Sequence, residues 1–196
     1  MPISDTSILI VSESEAGSFL LKKILREANY SCVTHCSGAV EALQYLENNP
    51  TRVLISEWDM EEIDGIEMAS HLRAIERDQH RFTYTILIVA DHSGEELNAA
   101  LQANVDSLVG TSDLPSHLIP QIRTAERISN QINDLLIRNH QLEEQQQELE
   151  VGQLLDPLTR LGNHRQAEQS LADTIRQIDS RGGAVCFILI NIGNYQ

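Results

Sequence analysis

Five short apolar runs alternate with helical patterns through the first 115 residues of the chain: SILIVS (7–12), SCVTHC (31–36), RVLISE (52–57), YTILIVA (84–90) and VDSLVG (105–110). Between them lie AGSFLLKKILREA, AVEALQYLEN, GIEMASHLRAIERD and GEELNAALQAN, whose apolar positions recur at helical spacing; Phe19, Leu20, Ile24 and Leu25 form the stripe on the first. The first, third and fourth runs are apolar on both faces, as parallel strands covered by helices require. The pattern predicts an α/β domain built on a five-stranded parallel sheet with right-handed crossovers.

From Leu118 the pattern changes to one long helix, with no glycine or proline between Gln121 and Val151. With Ala125 at heptad position a, Ile128 falls at d, Ile132 at a, Leu135 at d, Asn139 at a, Leu142 at d, Gln146 at a and Leu149 at d. Seven-residue spacing held this long predicts a coiled coil rather than a helix lying on its own domain. Asn139 at an a position can pair with its twin across a two-stranded seam and fix register, so the expected assembly is a parallel homodimer. Asp156 and Pro157 then break the helix, because the residue before proline is pushed out of the α region. Asn163 and Gln166 have the spacing of a capping box for a further helix, Gly182 and Gly183 end it, and AVCFILINI reads as a buried strand.

Charge and cysteine content narrow the function classes. A net charge of −15 with only two lysines, Lys22 and Lys23, leaves no basic face for tracking phosphates. Nucleic acid and anionic membrane surfaces are therefore not expected as partners. The N-terminus lacks a charged leader, and no apolar run approaches the roughly 20 residues that span a bilayer, so the expected location is the cytoplasm. Cys32, Cys36 and Cys186 make no disulfide framework and fit a reducing compartment. A metal clip through Cys32, His35 and Cys36 is not expected, because an extended segment throws residues 32 and 36 to one face and residue 35 to the other.

Candidate chemistry gathers at RVLISEWDMEEIDG, where Glu57, Asp59, Glu61, Glu62 and Asp64 put five carboxylates within eight positions. In parallel α/β sheets, ligands bind outside the carboxyl ends of the strands. There the chain places Ser12 and Glu13 after the first strand, Glu57 at the end of the third, Val89 and Ala90 at the end of the fourth, and Gly110 and Thr111 at the end of the fifth. The bland reading of Asp59, Glu61 and Glu62 is a solvated loop.

The five-fold alternation, EALQYL after the second strand and above all EWDMEEIDG resemble the receiver domain of two-component response regulators, over residues 5 to about 125. The resemblance implies a flavodoxin-like, doubly wound sheet with strand order 2-1-3-4-5. It also implies a phosphoacceptor Asp, an acidic pair, a Thr or Ser ending the fourth strand and a Lys ending the fifth. Those positions here hold Glu57; Ser12 and Glu13, with Asp59 nearby; Val89; and Thr111. The set is read as degenerate. Glu57 is either a fixed mimic of a phosphorylated Asp or an inert remnant, and the missing Thr and Lys partners favour the inert reading. Phosphorylation at Ser12 or Ser56 is not expected without a cation to assist. Weak Mg2+ binding by Glu13 and Glu57 is the most the remaining acids offer, and no cofactor is expected.

DPLTRLGNHR resembles the opening of a GGDEF domain, the diguanylate cyclase fold. That family's metal-binding Asp, and the second Asp two residues on, correspond here to Asn191 and Gly193, a degenerate pair. The chain stops at Gln196, before the place of that family's signature loop, so the segment is expected to be the truncated start of an incomplete α/β domain. The expected organisation is a receiver-like domain over 1–120, a coiled-coil signalling helix over 121–155 and a GGDEF-like fragment over 156–196. The expected function belongs to two-component and cyclic di-GMP signalling. A non-enzymatic receiver serves as a dimerisation or protein-interaction module that controls a GGDEF-type output, with a signalling partner on the face formed by the fourth helix, fifth strand and following helix. The alternative is the N-terminal part of an active diguanylate cyclase, or of a phosphodiesterase that follows a GGDEF domain, with its chemistry beyond residue 196.

Overall fold

Strands form where apolar side chains point to both faces. β1 (Ile8–Val11), β2 (Val33–Cys36), β3 (Val53–Glu57), β4 (Tyr84–Val89) and β5 (Ser107–Gly110) pair in parallel in the order β2-β1-β3-β4-β5. The computed structural model describes residues 4–90, 94, 98, 100, 102, 104–154, 156, 158–184, 186 and 188, with side chains 147–153 left out. The crossovers are α1 (Glu15–Glu27), α2 (Ala39–Asn48) and α3 (Gly65–Gln79); between β4 and β5, residues 94, 98, 100 and 102 are helical. Capping fixes the helix starts: the Ser14 side chain accepts from the Gly17 N–H, and that of Asp64 accepts from the Glu67 N–H at 2.7 Å.

Alternation along the strands divides the core between the two faces of the sheet. Ile8, Ile10, Val53, Ile55, Ile86 and Ile88 face Leu21 and Leu25 of α1. Leu9, Val11 and Leu54 face Ala42 and Leu46 of α2 and Met68 and Leu72 of α3. At residues 32–36, Cys36 is buried, Cys32 is exposed, and the His35 ring lies 3.2 Å from the Ser12 carbonyl.

The long helix corrects one expectation. α4 runs from Leu114 to Leu154, and its first half lies on the sheet: Leu118, Ile122 and Ala125 are fully buried in the cluster that holds Ile8 and Val109. Ile128 packs against the same cluster. Ala125 and Ile128 are thus core residues of the first unit, not the start of a dimer seam. The reason is geometric. Leu114, Leu118, Ile122, Ala125, Ser129 and Asn133 recur every three or four residues, the period of a helix lying on its own domain, and Ala125 belongs to both that stripe and the heptad. The buried Asn133 side chain holds the helix down, accepting from the Phe82 N–H at 3.0 Å and donating to the Phe82 carbonyl at 2.7 Å. Glu126 accepts hydrogen bonds from Ser4, Thr6 and Tyr30. The first compact unit accordingly spans Met1–His140, past the boundary at 120 read from the pattern; Leu135, Asn139 and Leu142 of the heptad are exposed.

The second unit, Gln141–Gln196, contains α5 (His164–Arg181). The Asn163 side chain caps it by accepting from the Gln166 N–H, and Gly182 ends it at φ 72°, as the spacing predicts. Asp156 organises the turn before it, its Oδ1 accepting from the Leu158 and Thr159 N–H groups. The expected strand AVCFILINI lies largely outside the described residues, as do Asn191, Gly193 and the side chain of Leu149. No helix among the described residues is long and apolar enough to cross a membrane.

At the amino-terminal edge of the sheet, the Arg73 guanidinium joins two carboxylates, Glu76 and Asp106, each at 2.6 Å, and lies over the Phe82 ring at 4.8 Å. Burial pushes both carboxyl groups above their ordinary range, while Arg73 pulls them back. The native state therefore holds these two protons more tightly than the unfolded chain, and the pair's net contribution to stability falls as pH rises through that raised window. Removing the guanidinium deepens this slope. Arg73→Met is expected to cost about 3–5 kcal/mol at pH 7.5, from two carboxylates left without their cation, and clearly less at pH 4.5, toward the raised range in which they take up protons. Urea unfolding at both pH values checks this, and a loss independent of pH would contradict it.

Candidate functional site

Parallel pairing sets the carboxyl end of β3 beside that of β1, with Val11 opposite Ser56. One residue further along each strand, the Ser12 hydroxyl donates to Glu57 Oε1 at 2.7 Å, and the Glu13 N–H donates to Oε2 at 3.3 Å. Ser12 is buried. The extra methylene of a Glu at this place is thus held by a hydroxyl where an acidic pair would repel it.

The acids at this edge do not converge on one centre. Glu13 turns its carboxylate onto the Glu61 N–H, which lies 3.0 and 3.2 Å from its two oxygens. Glu57 is held by the different donors just named. Magnesium demands a near-octahedral set of oxygens. It takes one or two of them from carboxylates and the rest from water; here the two carboxylates are engaged by separate donors, and no three His, Cys, Asp or Glu side chains among the described residues are grouped as metal ligands. Asp59, Glu61 and Glu62 are exposed, as a solvated loop requires, and the Glu61 N–H also ties the loop backbone to Glu13.

A cleft of about 360 Å³ opens over Glu57. Its walls include Leu20, Leu21, Trp58, Ile88 and Leu114, with Asp59 and Thr111 also lining it. The structure therefore brings Glu57, Asp59 and Thr111 to one place. It does not bring Val89 there: that side chain is buried with Trp58, Leu87, Ala100 and Val105, and Ile88 and Ala90 form the wall at the end of β4. Whichever residue is matched to the switch position, the end of β4 presents no hydroxyl to the cleft.

Two glycines make this edge, and pattern reading passes over one of them. A Cβ on Gly17 would stand 2.7 Å from Glu57 Oε1 and 3.1 Å from Ser12 Oγ, so α1 approaches the carboxylate closely only because residue 17 has no side chain. Its sequence signal is a lone glycine in the first turn of an amphipathic helix, where glycine costs roughly 1 kcal/mol relative to alanine. A Cβ on Gly65 would stand 2.8 Å from the Glu57 carbonyl, and its N–H donates to the Trp58 carbonyl at 2.8 Å. The Asp64-Gly65 turn thus brings α3 tightly onto the end of β3.

Comparison with known proteins agrees with this geometry. Residues 8–111 match the family model described as the response regulator receiver domain. The chain is 29% identical over 103 residues to the chemotaxis protein CheY1 of Helicobacter pylori, a match covering 52% of this chain and 82% of that protein. It is 24% identical over 102 residues to the chemotaxis protein CheY-3 of Vibrio cholerae, covering 52% and 77%. Among solved structures, a CheY-like response regulator receiver domain protein from Methanospirillum hungatei superposes with a TM-score of 0.58 at 21% identity, covering 65% of this chain and 98% of that one. The signal receiver domain of a histidine kinase from Syntrophus aciditrophicus gives 0.56 at 22% identity, covering 62% and 90%. With strand order, the Asp64-Gly65 turn and the family match in agreement, the chain belongs to the response regulator receiver family.

Proposed function

We propose that this receiver does not take a phosphoryl group, and that it serves as a dimerisation or protein-interaction module controlling a GGDEF-type output. One observation carries the first half of the reading. The residue at the end of β3 is a glutamate tied to the Ser12 hydroxyl and the Glu13 N–H, while the end of β5 offers Thr111 and the chain has no lysine after residue 23. Carboxylate phosphorylation needs an in-line nucleophile, a well-coordinated magnesium and a cation for the developing charge. A displacement of about 1 Å in the nucleophile alone costs about 10²-fold. Glu57 serves instead as scaffold, and Val89, buried among apolar neighbours, offers no hydroxyl to draw toward it.

The second half rests on α4 and on DPLTRLGNHR. Beyond Asn133 the helix exposes Leu135 and Leu142, at 59% and 61%, with Asn139 midway between them. Seven-residue spacing of exposed leucines around an Asn favours a two-stranded parallel seam. The seam starts beyond the receiver's own core and includes Ile132, which is half-buried, and, by spacing, Leu149. Joining two output domains this way raises their effective concentration without new contacts between them. Asn191, where the GGDEF resemblance expects a metal-binding Asp, is a poorer magnesium ligand than a carboxylate, so the output itself is read as inactive.

Incubation with acetyl phosphate and magnesium is expected to leave the intact mass unchanged; a stable gain of one phosphoryl group at Glu57 would overturn the first half. Light scattering is expected to give a dimer at micromolar concentration and weaker association for Leu135→Asp. A wild-type monomer under those conditions would refute the seam.

A further inference from the structure

The cleft over Glu57 combines two properties that an idle strand edge does not need. It is walled mainly by apolar side chains, among them Leu20, Leu21, Trp58, Ile88 and Leu114, and the ionisable residues lining it are both carboxylates, Glu57 and Asp59. No lysine, arginine or histidine lines it among the described residues. Its volume of about 360 Å³ falls in the range of small-molecule sites, roughly 300–1,000 Å³. Such sites are characteristically apolar with a few placed polar groups.

Charge complementarity selects the occupant. Glu57 receives hydrogen bonds from two neutral donors, a hydroxyl and a backbone N–H. An ionised carboxylate has about four acceptor sites, and hydrogen bonds to a charged donor are roughly twice as strong as neutral ones. An anion would meet two carboxylates in a protein of net charge −15. A neutral apolar molecule would fill the walls and leave the acids to water. We propose that the cleft binds a small organic cation with an apolar body, an arylalkylammonium or similar amine. Its charge pairs with Glu57, and its body lies against Leu20, Leu21, Trp58, Ile88 and Leu114. Bound there, the ligand supplies at the strand edge the positive charge that Thr111 does not. The inference rests on the reading that no phosphoryl group occupies this place.

Trp58 is the only tryptophan in the chain and lines the cleft, so its emission reports on occupancy. The test titrates the full chain with 2-phenylethylammonium, with 2-phenylethanol and with phenylacetate at constant ionic strength, read by Trp58 fluorescence and by calorimetry. The expected result is saturable binding of the ammonium, at least about tenfold weaker binding of the alcohol and none of the acid, since a paired charge commonly contributes a factor of about ten. Glu57→Gln is expected to remove the preference for the ammonium. Thr111→Arg, a change at an exposed residue that carries its own cation to the cleft, is expected to weaken ammonium binding while the thermal melt is retained. Absence of saturable heat and fluorescence change with the ammonium would overturn the inference, as would equal binding of ammonium and alcohol or preferential binding of the acid. A parallel sample treated with acetyl phosphate and magnesium is read by intact mass: a phosphoryl gain there, with the untreated protein binding the ammonium, contradicts the functional reading alone, and an unmodified protein that ignores the ammonium contradicts this inference alone.

Discussion

Parallel pairing makes every strand of this sheet end at one edge, and the rest of the molecule is arranged around that constraint. Because β3 is the central strand and pairs with both β1 and β4, its last residue stands between two neighbouring strand ends. Glu57 stands there, within reach of the end of β1 at Ser12 and of the short α1 turn that Gly17 lets approach. The apolar layers on both faces hold this register, since slipping one strand by a residue would turn its whole apolar set to the wrong face.

What occupies the edge decides what it can do. A buried hydroxyl and a backbone N–H hold the glutamate, a second acid is turned onto a loop amide, and apolar side chains wall the space above. On the function proposed above, each of these takes away a part that phosphoryl transfer uses, while the fold stays intact because the apolar core lies below the edge. Leu114, at the start of α4, lines the cleft, and Asn133 fastens the same helix to the Phe82 backbone just before β4.

Much of the fold was legible from pattern alone. Strands apolar on both faces and helices with a single stripe have no other common arrangement, and all five strands fall within their expected runs. The place of Glu57 was legible for the same reason, since it is the first acid after a buried strand. The misreading of Ala125 and Ile128 came from periodicity itself: over two turns a heptad and a helix on its own domain have nearly the same spacing, and only tertiary contact separates them. The link from Arg73 to Asp106 and the cleft walls, drawn from α1, β3, β4 and α4, join residues far apart in the chain and leave no local signal, although the i,i+3 pair of Arg73 and Glu76 is local. Gly17 was missed because its role depends on where Glu57 points, which no spacing records.

We propose that the carboxyl edge of this receiver keeps the family's fold and does not hold a phosphoryl group. Two-dimensional amide NMR of the nitrogen-labelled protein, titrated with magnesium and beryllofluoride as a stable analogue of a carboxylate-bound phosphoryl group, tests it most directly. The account predicts that the amide resonances of Ser12, Glu13, Glu57 and Thr111 stay where they are throughout the titration. A second, saturable set of resonances for those residues would contradict it.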